Sequence, residues 1–535
     1  MYDVVVVGSG VAALTAALTV SASKKTVLIL EKSDQIGGTS AMSAGMTWIP
    51  ANHYMTEAGL RDSPAEALDY IRAVAPPGWA STEDALWQAQ AENAAVMLRT
   101  VESNSPLRFK ITDVSDPNLE ATGSKAAGRL LSPKPISRKI LGSLGRRIRK
   151  STIPLTLTYH ERVAGRILKQ PIRGIIRYSL TLLSRRINQV SVMGNAMVVG
   201  LLKGCLDKGC VLKTSSRVTD LIIDPASSAV VGVKVDQNGT ACEYGARQGV
   251  VLATGGFEWD SVMLAKHFPV DVEFMSSPPT NEGDGHKMAA AAGAAFAYMD
   301  QANVNAQPPV IYEGRIHGIA IKFHTEPDAI IVDASGKRFC SEYEYYISSR
   351  LVEIDAKTQR PKHQPAWVIS HRPMLKRNTI VRFFHKNKAG WLVAAPTIKA
   401  LARKIGVDGD TLEATVSRFN GFAKAGQDPE FGRGVASIYE KKLAADVGLM
   451  ASIDKPPFIA IRFQASVIGT KGGVRTDRFG QATKPDGSLI PGLYCAGGTM
   501  ANPTGTRAPS QHGTTLGPYM TWAYICAQGI LRQNR

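Results

Sequence analysis

An α/β protein built on a parallel sheet is the fold class this sequence predicts, and three observations carry the prediction. An unbroken apolar run, Val4-Val5-Val6-Val7, leads straight into Gly8-Ser9-Gly10. An Ala-rich stretch of helical character follows, opening on Val11-Ala12-Ala13. A second apolar run, Thr26-Val27-Leu28-Ile29-Leu30, then ends on Glu31. A strand apolar at every position is one buried on both faces, as in parallel sheets covered by helices. Strand, glycine turn, helix, strand and terminal acid in register make a Rossmann-like βαβ unit.

Each element of the unit has a physical task. Gly8 makes the tight turn, Gly10 lets backbone approach a pyrophosphate, and the small Ala13 permits close helix–strand packing. The pyrophosphate then meets free N–H groups and the positive end of a helix dipole. Glu31, followed by Lys32, is placed to accept hydrogen bonds from ribose hydroxyls. Further small-residue stretches recur along the chain, at Gly37-Gly38-Thr39-Ser40, Ser43-Ala44-Gly45, Ala253-Thr254-Gly255-Gly256 and Ala496-Gly497-Gly498. The last two follow apolar strand-like runs. Backbone approaches spread from one end of the chain to the other suit a large ligand, and point to FAD rather than NAD.

Composition bounds the rest. The 535 residues are 44% hydrophobic and 20% charged, an ordinary globular balance that excludes disordered, collagen-like and coiled-coil chains. This length exceeds what one core usually organises, so at least two domains are expected. The six cysteines are scattered without a Cys-x-x-Cys pair, which argues against a disulfide scaffold or structural zinc and fits a reducing, cytoplasmic setting. No metal is expected. No apolar run is long enough to span a bilayer, and Asp3 beside the initiator is unlike a signal peptide.

The net charge of +18 is concentrated. Residues 131–190 hold fourteen Lys or Arg and one acid, Glu161. They lack finger spacing and interleaved aromatics, so nucleic acid is not the expected partner. Arg162, Arg166, Lys169, Arg173 and Arg177 recur at helical spacing, with Val163, Ile167, Ile172, Ile175, Ile176, Leu180 and Leu183 largely on the other side. Upstream, Ile136, Ile140, Leu144 and Ile148 recur every four residues. Pro171 and Gly174 are expected to break or bend a single long helix. Two readings stand: a peripheral element on an anionic membrane surface, or a solvated face of helices packed on the core.

The chain resembles the fumarate reductase/succinate dehydrogenase flavoprotein superfamily, and within it the 3-ketosteroid dehydrogenase-like branch. The resemblance rests on Gly37-Gly38-Thr39-Ser40 with Trp48-Ile49-Pro50, Asn281-Glu282-Gly283-Asp284-Gly285, Val332 to Phe339, Gly469-Thr470-Lys471-Gly472-Gly473, and Thr515-Leu516-Gly517-Pro518. It implies a Rossmann-like, glutathione-reductase-type FAD-binding domain in two parts, 1–290 and 455–535, with an α+β catalytic capping domain at 291–454. Residues 131–190 would be an insertion. By the same likeness FAD would be lined by Gly8, Gly10, Ala13, Glu31, Lys32, Gly38, Thr39, Ser40, Gly45, Ala253, Thr254, Gly255, Asp284, Gly497, Gly498, Thr515 and Leu516, with Val218 at the adenine edge. Asp34-Gln35-Ile36 stands where covalent relatives carry a flavin-linking His, so noncovalent FAD is implied. Gly498 replaces the Glu or Asn that usually touches the ribityl chain.

The implied reaction places a C=C bond next to a ketone in a hydrophobic, steroid-like substrate, with electrons passing on to an external acceptor such as a quinone. It needs a base for the α-proton, donors for the enolate oxygen and a hydride acceptor. Tyr346 falls at the base's offset after Arg338-Phe339-Cys340-Ser341-Glu342. A Tyr titrates near pH ~10, so it needs help from a neighbour. The Tyr that serves as neighbour in relatives is missing, and Asp116-Pro117-Asn118-Leu119-Glu120 fills that stretch. The family's Tyr-Pro-Gly-x-Gly is replaced by Ala508-Pro509-Ser510-Gln511-His512-Gly513, which leaves the Gly513 N–H and the side chains of Ser510 or His512 for the keto oxygen. The alternatives are a fumarate-reductase-type alkene reductase, which would use an Arg as acid and Arg or His as carboxylate clamps, with Arg507 near the C-terminal substrate loop and His324 or His512 as clamps, and a membrane-associated flavin electron carrier.

Overall fold

The computed structural model describes residues 1–152, 156–164, 167, 171–504 and 515–532. Strand Tyr2–Val7 pairs in parallel with Val27–Leu30 on one side and with the end of Thr240–Leu252 on the other. Helix Val11–Ala22 makes the crossover between the first two strands, and Val11 to Ser21 are all buried. A helix apolar on all sides is one enclosed by protein. Here it packs against the sheet and against helices Met193–Asp207 and Leu516–Arg532. The sheet continues through Val211–Lys213 beyond Val27–Leu30, and through Leu489–Cys495 beyond Thr240–Leu252, with Gln481–Thr483 antiparallel at that edge. Both ends of the chain therefore share one sheet. The long strand Thr240–Leu252 changes partners along its length, because its first half pairs antiparallel with Val230–Gln237, and that strand with Ser216–Ile223.

A second body is built on a four-stranded antiparallel sheet in the order Ile330–Val332, Trp367–His371, Phe458–Arg462, Leu392–Ala395. Its side chains alternate between two cores, as the period of a strand demands. Ile330, Val332, Ile369 and Ala460 face Leu401, Leu412 and Phe419 of the helices Ile398–Ile405 and Gly409–Ala425. Ile331, Val368, Ile459 and Ile461 face a core containing Phe323, Trp391 and Phe463. Phe257, Leu264, Phe268 and Phe274 pack in that same core.

A buried ion network fixes the segment that follows the first strand of this sheet. Arg338 grips Glu342 through Nε and Nη2 at 3.0 and 2.9 Å and reaches Asp428 at 2.8 Å. Arg433 adds a contact to Glu342 at 3.2 Å, and the Ile331 N–H donates to the same carboxylate at 3.0 Å. The side chains of Arg338, Arg433, Glu342 and Asp428 are at most 1% exposed.

The basic segment is closed at its base by an antiparallel pair, Ile136–Ser137 with Val190–Ser191. Between these lie 3-10 turns over Arg138–Arg147, bent at Gly142, and helices Tyr159–Ala164, Pro171–Arg177 and Ser179–Ile187. No single long helix runs through the described residues of the segment, and a new helix begins at Pro171, as expected; only the expectation for Gly174 needs correcting. Pro171 opens its helix at a position where its missing N–H is harmless, Gly174 lies within that helix, and a further break falls at Tyr178. Glu161 is held bidentately by Arg185 at 2.6 and 2.8 Å. Several apolar side chains are not packed on the core: Ile176, Leu180, Leu183 and Ile187 are 68, 81, 56 and 64% exposed. Arg166 and Lys169 lie outside the described residues. No described helix is long and apolar enough to cross a membrane.

Replacing Glu342 by Ala would leave the guanidiniums of Arg338 and Arg433 buried without their shared anion, a change that costs about 3–5 kcal/mol. The expected result is a clear fall in melting temperature. An unchanged melting curve would show that the network is not what fixes this segment.

Candidate functional site

One cavity of about 990 Å³ lies across the carboxyl ends of the parallel strands, with Val7, Leu30 and Ala253 in its wall. This is where open parallel sheets bind ligands. Every residue that the sequence assigns to the cofactor lines it, except Ala13. Ala13 is fully buried in the crossover helix, in keeping with its packing role. Glycine is required at Gly8 by its φ of +111° and because a Cβ would come within 2.3 Å of the Ala253 carbonyl oxygen. At Gly10 the only near neighbour of a Cβ among the described residues is Ser40 Oγ, 3.3 Å away, so the bare backbone is presented to the cavity. Gly10 caps the helix Val11–Ala22 without a side-chain hydrogen bond, and the Val11 N–H donates to Ser40 Oγ at 3.1 Å.

Glu31 is 9% exposed and accepts from the Ser9 hydroxyl at 2.5 Å and from the Ser33 N–H at 2.9 Å. Burial pushes its carboxyl up, against the opposing pull of these two donors. Lys32 pairs with Asp284 at 2.6 Å and Glu282 at 2.9 Å, and Arg217 reaches Asp284 at 2.8 Å. Asn281 donates to Thr39 Oγ1 at 2.9 Å and to Glu258 at 2.7 Å. The glycine-rich segment at 37–40 is thus tied to the segment beginning at 281. The basic insertion is tied to the same region, since the Ile36 N–H donates to Arg147 O at 2.7 Å and the Arg149 N–H to Ile36 O at 3.0 Å. Tyr159, Arg162, Val163 and Ala164 of the insertion line the cavity as well.

These features fit a bound dinucleotide: capless helix N–H groups for phosphates, a buried acid for ribose, and room for a long ligand.

A protein-family model for an FAD binding domain matches residues 3–513. The chain belongs to that family. Among curated relatives, the 4-oxocyclohexanecarboxylate 2-dehydrogenase of Sinomonas cyclohexanicum is 33% identical, the alignment covering 99% of this chain and 93% of that one. The 3-oxosteroid 1-dehydrogenase of Mycobacterium tuberculosis is 31% identical, covering 99% and 98%. The crystal structure of 3-ketosteroid delta1-dehydrogenase from Sterolibacterium denitrificans in complex with 1,4-androstadiene-3,17-dione superposes with a TM-score of 0.88, at 30% identity and 99% coverage of both chains. This FAD-binding-domain protein is therefore an FAD-dependent oxidoreductase acting on CH–CH donors, in the 3-ketosteroid dehydrogenase-like branch.

The remaining sequence-selected residues divide. Tyr346 is half-buried, and its hydroxyl accepts from Asn118 Nδ2 at 2.7 Å. It packs edge-on against Tyr345, a cavity-lining residue, with centroids 4.9 Å apart. Asn118 was not selected by sequence reasoning, which looked for a Tyr in its stretch; the stretch itself was the signal. Ser510, His512 and Gly513, with Arg507, lie outside the described residues. His324 lines the cavity and is 4% exposed, and burial pushes its imidazole down to about 3, with Lys322 and Arg433 adding to the effect. It is neutral at physiological pH, which does not suit an electrostatic clamp acting alone.

Glu31→Ala removes a buried acceptor and strands the Ser9 hydroxyl. Losing a hydrogen bond to a charged group weakens binding by roughly tenfold or more. Purified variant protein should carry clearly less flavin, read as the flavin-to-protein absorbance ratio; a full complement would remove Glu31 from the cofactor site.

Proposed function

We propose that this enzyme introduces a C=C bond next to a ketone in a hydrophobic, ring-shaped substrate, steroid-like or a smaller cyclic ketone, and passes the electrons to an external acceptor such as a quinone. The observation that carries the reading is the Tyr346–Asn118 hydrogen bond beside the cavity wall, in a chain related over its whole length to ketone dehydrogenases. In this reading residues 1–290 and 455–535 hold the cofactor, noncovalently, and 291–454 supplies the substrate wall, with the exception that Phe458–Arg462 belongs to the second body's sheet.

Bound FAD would supply the hydride acceptor. The chain's own residues handle the proton. Tyr346 takes the proton from the carbon α to the carbonyl, and the Asn118 N–H, donating to its hydroxyl oxygen, stabilises the oxyanion form that accepts it. An amide N–H stabilises a phenolate but does not carry its proton away, so Asn118 is a positioning residue rather than a second acid or base. The Gly513 N–H and the hydroxyl of Ser510 or the ring of His512 remain the candidates for the enolate oxygen.

The basic insertion is read as a peripheral anchor on anionic lipid. Exposed Ile176, Leu180, Leu183 and Ile187 stand among exposed Arg173, Arg177 and Arg186. Apolar side chains turned outward among cations fit an interfacial element, each cation adding about 1 kcal/mol near acidic lipid.

Two experiments test these readings. With androst-4-ene-3,17-dione added anaerobically, flavin absorbance should bleach. Tyr346→Phe should slow that step by roughly 10²–10⁴-fold, while Asn118→Ala should slow it less and move the rising limb of the pH–rate profile to higher pH. Wild-type bleaching rates in Tyr346→Phe refute its role, and an unmoved pH limb in Asn118→Ala refutes positioning. Separately, the native protein should float with phosphatidylserine-containing vesicles and a combined Arg173→Glu, Arg177→Glu, Arg186→Glu variant should not. Equal flotation would leave the charge as a solvated surface.

A further inference from the structure

Lys322 lies in an irregular segment between the strands Arg315–Gly318 and Ile330–Val332, in the wall of the same cavity. Its ammonium donates to Tyr439 Oη at 2.8 Å and sits 5.1 Å from the Tyr345 ring centroid. Tyr345 and Tyr439 themselves meet edge-to-face, with centroids 4.8 Å apart, and both line the cavity. An ammonium carries three donors, and Tyr439 accounts for one. Among the described residues no carboxylate forms an ion pair with Lys322, although Asp446 lines the same cavity. Two residues further on, His324 lines the cavity with both ring nitrogens buried and without a hydrogen-bond partner among the described residues. Buried polar atoms are ordinarily satisfied, so an orphaned imidazole beside a cation without a counter-ion marks a place where a ligand supplies the missing acceptor.

We propose that Lys322, with His324 beside it, recognises a carboxylate carried by the ketone substrate, which makes the preferred substrate class a cyclic ketone bearing an acid group. The proposal rests on the dehydrogenase reading above for the ketone, but the anion site stands on its own geometry. The ammonium provides the charge, and the neutral imidazole provides one N–H donor. The face of Tyr345 keeps the ammonium in position at little desolvation cost. Tyr345 also packs on Tyr346, so an anchored carboxylate would fix the ring relative to the proposed base.

The test uses the flavin-loaded native enzyme and ligands that cannot be oxidised next to a ketone. Cyclohexanecarboxylate and cyclohexanecarboxamide are titrated by calorimetry and by perturbation of the flavin spectrum. The native enzyme should bind the carboxylate about tenfold or more tightly than the amide, Lys322→Met should abolish that preference, and Lys322→Arg should retain part of it. Absence of a preference in the native enzyme, or its survival in a flavin-loaded Lys322→Met variant, overturns the proposal. Should Lys322→Met fail to hold flavin, a crystal structure of the native enzyme with cyclohexanecarboxylate decides: a carboxylate oxygen within hydrogen-bond distance of Lys322 Nζ supports the site, and any other placement refutes it. Failure of the dehydrogenase reading looks different, with the carboxylate preference intact but no anaerobic bleaching by 4-oxocyclohexanecarboxylate or androst-4-ene-3,17-dione.

Discussion

Gly8 approaches the Ala253 carbonyl so closely that no side chain fits between them, and the rest of the site depends on that contact. It is the point where the strand Tyr2–Val7, in register with Thr240–Leu252, ends and turns toward the ligand. Val7 stands beside Leu252, and Leu252 beside Cys495, so three segments far apart in sequence end at one level. Only when that register is set do Glu31, Ala253 and Gly497 open into one cavity. Slipping a strand by one residue would turn every side chain to the other face of the sheet. The cofactor site is therefore a property of the assembled sheet rather than of the glycine motif alone.

A second constraint governs the proposed base. Tyr346 stands four residues beyond Glu342, whose carboxylate is held by two buried arginines and a backbone N–H. Such a network adds little net stability compared with an apolar core, yet it allows few alternative arrangements of the chain that carries it. The partner, Asn118, comes from a stretch anchored differently: Asp116 accepts from Trp48 Nε1 and pairs with Arg129. The proposed pair is thus assembled from two separately fixed supports. Its geometry holds only while the two bodies keep their relative position.

How much of this could be read from the sequence follows from how local each feature is. The βαβ unit was legible to within two residues at its strand ends, because its turn, helix and acid are set by neighbours within about thirty positions. Tyr346 was selected through resemblance, by its offset from Arg338 and Glu342, and its role stays a proposal. Asn118 was hidden because the chemistry expected there was a hydroxyl, and in the proposed mechanism an amide at the same place would perform only half of that task. Lys322 and His324 gave no signal of a shared site, since an irregular segment has no periodicity and Lys322 depends on Tyr345 and Tyr439 being folded beside it. The insertion is the clearest case of an ambiguity in the pattern itself. Helical spacing separated its basic from its apolar residues, but the same spacing describes a face packed on the core and a face turned outward. Exposure of Leu180 and Ile176 distinguishes the two.

The two proposals about charge bear on each other through the cavity wall. Arg162 and Val163 belong to the insertion and line the cavity that also contains Lys322. An apolar ketone partitions into a bilayer, whereas one that also carries a carboxylate is an amphiphile held at the interface with its acid at headgroup level. An enzyme seated there by outward-facing Ile and Leu side chains would meet such a molecule already oriented. Its basic residues would lie at the depth of the acid, and Arg162 would bring one of them to the cavity that holds Lys322. The net charge of +18 is then less a property of the enzyme body than of one path, from a lipid surface to the residue that would hold the substrate's acid group.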